Sequence, residues 1–183
     1  MANFGKKIVD TYGFNSNSVN RSIEFGSAQD LNNVQIGNYW CIKGPFQKIG
    51  IKSRFSHGGI HVIQGLKFEL ADGTIEAFGM EKNDKANVEE LEVPKGQHIR
   101  DVILRTGWYI DQIGFRTNEN IQLGPIGGNG GHERIVMPRD FMDKNPKQVY
   151  LHGIAGRTYK TKDGIPLIAK LKFFFVIIPN AED

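Results

Sequence analysis

The sequence predicts an all-β protein built from three similar units. Three observations carry that expectation. No convincing amphipathic helix is present. Short segments of near-alternating apolar residues recur every 8–12 residues between glycine-containing turns, which suits a barrel, a sandwich or a prism. One nine-residue pattern occurs three times, ending at Phe68, Phe115 and Phe173. The chain carries 22 glycines in 183 residues, more than a helical bundle would usually hold.

Residues 1 to 45 differ from the rest. "NSNSVN" and "SAQDLNN" are polar and turn-rich, and "VQIGNYWCIKG" holds a strand or two. This part is read as an N-terminal extension packing on the main domain, residues 46–183, through Tyr39 and Trp40. From Ile49 the pattern is β. "IHVIQGLKFEL" turns at "ADG" into "TIEAFGM", a hairpin signal. "VEELEVPKG" is a strand stopped by Pro94 and Gly96. "HIRDVILRTG" and "WYIDQIGFRTN" follow, and "QVYLHGIAG" and "LIAKLKFFFVII" close the chain.

The repeat aligns "IHVIQGLKF", "GWYIDQIGF" and "IPLIAKLKF" without gaps. Leu66, Ile113 and Leu171 each lie two residues before the shared Phe. Ile63, Ile110 and Ile168 lie five before it. A single sheet cannot bury its own apolar face. Three such units therefore imply pseudo-threefold assembly around a core made of these positions.

Composition narrows the function. Twenty-three basic and 20 acidic residues leave a net charge of +3, with no long basic block, so nucleic acid is not an expected partner. The longest apolar run, "FFFVIIP", is too short to span a bilayer. The N-terminus has no apolar stretch of signal-peptide length, so the sequence as it stands is expected to be cytoplasmic, or extracellular if a signal was removed. The sequon Asn20-Arg21-Ser22 would matter only in the second case. A single cysteine, Cys41, excludes an intramolecular disulfide and is read as a buried, inert thiol.

No catalytic constellation stands out. "GGNGG" is not a phosphate-binding loop, and no helix follows it. His132 and Glu133 are adjacent, so on a strand they point to opposite faces. Only His57 and His61 are spaced as a metal pair could be, and neither a metal nor a cofactor is expected. "KTKDG" reads as a hairpin tip. The remaining question is why Gly107-Trp108-Tyr109-Ile110-Asp111 precedes Gly127-Gly128-Asn129-Gly130-Gly131 by about twenty residues. Plain turns around a solvated acid are one answer, and a ligand site is the other.

"IQGLKFELADG", "GQHIRDVILRTGWYIDQIGFRTN", "LGPIGGNGG" and "VYLHGIAGR" resemble, in order and spacing, the jacalin-related lectins. The resemblance covers about residues 49–178 and is most specific from Phe115 to Gly131. It implies a β-prism I fold of three four-stranded antiparallel Greek-key sheets, with the N-terminal extension added. It also implies a carbohydrate-binding lectin without catalytic activity. Sugar in that family binds at one end of the prism, where a Gly-x-x-x-Asp loop meets a glycine-rich loop. In the third repeat the acid's position is Ala169, and the preceding loop is lengthened to "GRTYKTKDGIP". In the first repeat the position is Gln64. Only the second repeat keeps both parts, as Gly107 to Asp111 with Gly127 to Gly131.

The chemistry suits a sugar. A carboxylate such as that of Asp111 can accept from two vicinal hydroxyls, and backbone N–H groups of Trp108, Tyr109, Ile110 and the glycine loop can donate. Trp108 or Tyr109 can offer an apolar face to sugar C–H groups. A mannose or glucose type of glycan is favoured over galactose, and glycans or glycoproteins are the expected partners. A shallow site of this kind would hold a monosaccharide near about millimolar, so multivalency, for instance in a homo-oligomer, would be needed. The alternative is a prism that has lost sugar binding and serves as a protein-interaction or structural module.

Overall fold

The computed structural model describes residues 19–25, 34–55, 61–107, 109–137, 148–161 and 163–178. Among them the chain forms twelve strands and no helix. The strands are β1 (Val19–Phe25), β2 (Val34–Lys43), β3 (Phe46–Phe55), β4 (His61–Leu70), β5 (Ile75–Phe78) and β6 (Val88–Glu92). They continue as β7 (Ile99–Thr106), β8 (Ile110–Thr117), β9 (Gln122–Gly127), β10 (His132–Val136), β11 (Gln148–Thr161) and β12 (Pro166–Ile178). They make three four-stranded antiparallel sheets, in the orders β5-β4-β3-β6, β10-β7-β8-β9 and β1-β12-β11-β2. Each sheet is a central hairpin with one added strand on either side, and β4, β8 and β12 carry the three repeats.

The repeat positions converge as their chemistry demands. Phe68, Phe115 and Phe173, with Leu66, Ile113, Leu171, Ile63, Ile110 and Ile168, are all fully buried in the region the three sheets enclose. Each buried aliphatic or aromatic side chain contributes about 1.5–3 kcal/mol of transfer free energy. The hairpin expected at "ADG" is present. Gly73 takes φ 86° there, and the Thr74 N–H donates to Asp72 Oδ1 at 2.9 Å.

Three expectations change. Residues 19–25 and 34–43, read as part of an extension, form the outer strands of the third sheet, so residue 45 falls between two strands of the prism. Trp40 is buried and stacks on Phe78 at 4.3 Å, with its Nε1–H donating to Thr158 Oγ1. The lengthened loop before the third repeat is instead mostly strand. β11 runs to Thr161, and the tip closes with Gly164 N donating to Thr161 O and Thr161 N to Ile165 O. Cys41, expected to be buried, is exposed on β2. Partial desolvation still pushes its thiol up to about 11, against the pull of Lys43, so it stays protonated at neutral pH.

Candidate functional site

The second sheet presents the Gly107–Asp111 segment at one end of its central hairpin. β7 delivers Thr106 and β8 departs from Ile110, with a register irregularity between Arg105 and Thr106 that lets the tight turn close. The Gly107 N–H donates to Tyr109 O at 3.1 Å. Ile110 faces the core and is fully buried, so only its backbone is available to a ligand. Trp108 lies outside the described residues.

Residues 128–131 connect β9 to β10 and return beside that turn. The Gly128 N–H donates to the Asp111 carbonyl at 2.8 Å. Absent side chains make the approach possible. A Cβ on Gly131 would collide with the Thr106 backbone and stand 2.7 Å from Asp111 Oδ2, and one on Gly107 would stand 3.9 Å from the same oxygen. A Cβ on Gly127 would collide with the Asp111 carbonyl, and one on Gly128 with the His61 carbonyl on β4. Gly127 and Gly131 also take φ 127° and 65°, in the left-handed half of backbone space. Gly128 is buried, whereas Asn129 and Gly131 are exposed and Gly130 is half-buried. The structure therefore brings Gly107, Asp111 and the glycine loop into one cluster.

Asp111 is only 5% exposed. Desolvation raises its pKa above the usual 3.8, while the Gly107 backbone hydrogen bond and the charge of Arg105 pull it down. The site thus holds a nearly buried carboxylate against Gly131, with the Gly107 backbone and Arg105 favouring its charged form.

Tyr109 is placed differently from a sugar platform. It is half-buried and packs against Tyr159 and Ala169, the latter fully buried. The third-repeat position that lacks an acid is thus covered by aromatic side chains. In the first repeat, Gln64 lines an open cleft of about 780 Å³ with Phe55, His61, Lys52 and Glu89. Phe55 and His61 stack at 4.6 Å, and His61 Nε2 lies 2.9 Å from Ser53 Oγ. His57 lies outside the described residues, so the pair it would form with His61 is not described. Among the described residues no group of three His, Cys, Asp or Glu is placed to hold a metal.

One residue of the cluster was not expected. Arg105, half-buried at the end of β7, donates from Nε to Gly130 O at 3.1 Å and from Nη2 to Asn129 O at 3.0 Å and Gly131 O at 3.2 Å. Its Nη1 lies 3.5 Å from Glu133 Oε2. A glycine-rich loop offers many carbonyls and few side chains, so no complementary residue type in the sequence pointed to Arg105.

No family model matches the sequence, and no curated protein does. Solved structures match in shape. A prostate-specific WGA16 glycoprotein lectin aligns at TM-score 0.59 and 17% identity, over 80% of this chain and 94% of that one. The agglutinin of Calystegia sepium aligns at 0.57 and 16%, over 86% and 96%. A mannose-binding jacalin-related lectin from Ananas comosus aligns at 0.55 and 17%, over 90% and 100%. At such identities the likeness speaks for the fold. With its three Greek-key sheets and shared core, this chain has the β-prism fold of the jacalin-related lectins.

Proposed function

We propose that the protein is a non-catalytic carbohydrate-binding module whose site is the Gly107–Asp111 turn with the Gly127–Gly131 loop. The observation that carries this is the desolvated Asp111 carboxylate lying directly under a loop of four glycines and Asn129. A pyranose needs such an acceptor for vicinal hydroxyls and a backbone it can approach closely. Solved neighbours named as lectins, one of them as mannose-binding, support a glycan over other ligands. The mannose or glucose type remains the favoured class. Each hydrogen bond adds about 1–3 kcal/mol, so a single site is weak and a homo-oligomer would supply avidity.

The test is an array of mannose-, glucose- and galactose-terminated glycans probed with multivalent protein. Binding is expected for the wild type and lost in Asp111→Asn, which cannot offer two anionic acceptor oxygens. Asp111→Asn should also melt higher than the wild type at neutral pH. Folding raises the carboxyl's pKa, so the ionised form is disfavoured in the native state, and the neutral amide avoids that cost. A silent array at high valency sinks the proposal. The buried Ala169 under Tyr159 favours a second reading, a prism that binds protein instead. Partner capture that survives excess mannose and galactose would select it.

A further inference from the structure

We propose that Arg105 is a positioning residue for this site: it sets the glycine loop in its ligand-receiving orientation. The inference rests on the reading of Gly107–Asp111 and Gly127–Gly131 as a glycan site.

The loop's problem is entropy. Four glycines in five residues have more backbone freedom to lose than an ordinary loop, and a ligand that had to order them would bind weakly. Arg105 removes that cost beforehand. Its planar fork takes the carbonyls of Asn129, Gly130 and Gly131, three successive residues, onto one guanidinium. Glu133 on β10 holds the remaining edge at 3.5 Å. A trans peptide is planar, with its N–H opposed to its C=O. Turning the carbonyls of Asn129 and Gly130 toward Arg105 therefore turns the N–H groups of Gly130 and Gly131 away from it. Among the described residues these N–H groups have no backbone acceptor. They are fixed donors beside Asp111 Oδ2, which lies against Gly131. The guanidinium itself is occupied by the loop and Glu133, so it acts through its neighbours and not on the ligand.

The second effect is electrostatic. Burial pushes Asp111 toward its neutral form, and Arg105 opposes it. The charged and titratable groups around Asp111 are few. Arg105 stands on β7, Glu133 and His132 on β10, and His61 on β4 across Gly128. Removing the arginine's charge leaves only the Gly107 backbone hydrogen bond to oppose desolvation, so the carboxyl becomes protonated at a higher pH.

The experiment compares wild type, Arg105→Gln, Arg105→Lys and Asp111→Asn, using surfaces of immobilised mannan and of galactan. Amide exchange of a peptide covering residues 127–131 is followed in parallel. Arg105→Gln is expected to weaken capture by about tenfold or more and to speed exchange across the loop, because preorganisation is lost. Its acid limb of binding should move to higher pH. Arg105→Lys keeps the charge but not the fork. It should therefore retain the wild-type acid limb while still loosening the loop. Asp111→Asn should lose capture with loop exchange unchanged, which separates acceptor from strut. Wild-type binding that Arg105→Gln leaves intact in strength and pH profile overturns the assignment of Arg105 alone. Wild type that binds neither surface overturns the site reading on which it rests.

Discussion

At the scale of single residues the site is set by what is absent. Gly131 combines φ 65° with contact to Thr106 and Asp111. Gly131→Ala is expected to destabilise the fold by about 1–3 kcal/mol and to displace the loop from Asp111. Thermal melting and glycan capture together check it, and an unchanged melt with full capture would contradict the close approach. Some of this was legible beforehand. The resemblance implied that the glycine-rich loop meets the Gly107–Asp111 loop, and the glycines do lie beside Asp111. The path of Tyr109 was not legible, because pattern alone does not say that an aromatic at a turn packs sideways on Tyr159. Nor was Arg105, whose acceptors are backbone carbonyls and leave no complementary residue type to search for.

At the scale of elements the β7–β8 hairpin is the site's mount. One end is the Gly107–Asp111 turn. Toward the other, Asp101 is fully buried and pairs across the strands with Arg116, whose Nε and Nη2 reach its oxygens at 3.0–3.1 Å. Arg100 adds two further bonds of 3.2 Å. A buried carboxylate with two guanidinium partners specifies register, since a one-residue slip would leave it unpaired. Asp101→Ala is expected to cost about 2–4 kcal/mol in urea unfolding, toward the low end because both arginines are partly exposed and can rehydrate. A loss under about 0.5 kcal/mol would mean the pair is incidental. Elements with alternating apolar residues were readable in advance. β2 was read in advance as a strand or two, but β1 was not, because "VNRSIEF" becomes a strand through its edge position against β12, and a short, partly polar segment reveals little of such tertiary pairing.

At the scale of the molecule the three-unit plan was the most readable feature, because the core requires the same apolar positions in each unit. Acid tolerance is a property of the whole. His98, whose ring meets that of Tyr150 at 3.7 Å and a 41° tilt, and the fully buried His152 are both pushed down to about 4, in each case chiefly by burial. The unfolded chain takes up these protons near pH 6.5 and the native one only near 4. Stability is therefore complete above 6.5 and is lost progressively as pH falls through that window. Urea midpoints should drop from pH 7 to pH 4.5, and His98→Gln should flatten the decline. Asp72 and Asp84, whose pKa values are lowered below 3.8, act only at greater acidity. Asp111 works the opposite way in its own range.

The third sheet has one further consequence. Its outer strands come from residues 19–43 and its central hairpin from residues 148–178, so it joins the two ends of the sequence. During synthesis the other two sheets can form while β1 and β2 still wait for partners. β2 carries the core side chains of Trp40 and Ile42, so until β11 emerges it is an unpaired, partly apolar strand on the nascent chain, the kind of edge that invites aggregation.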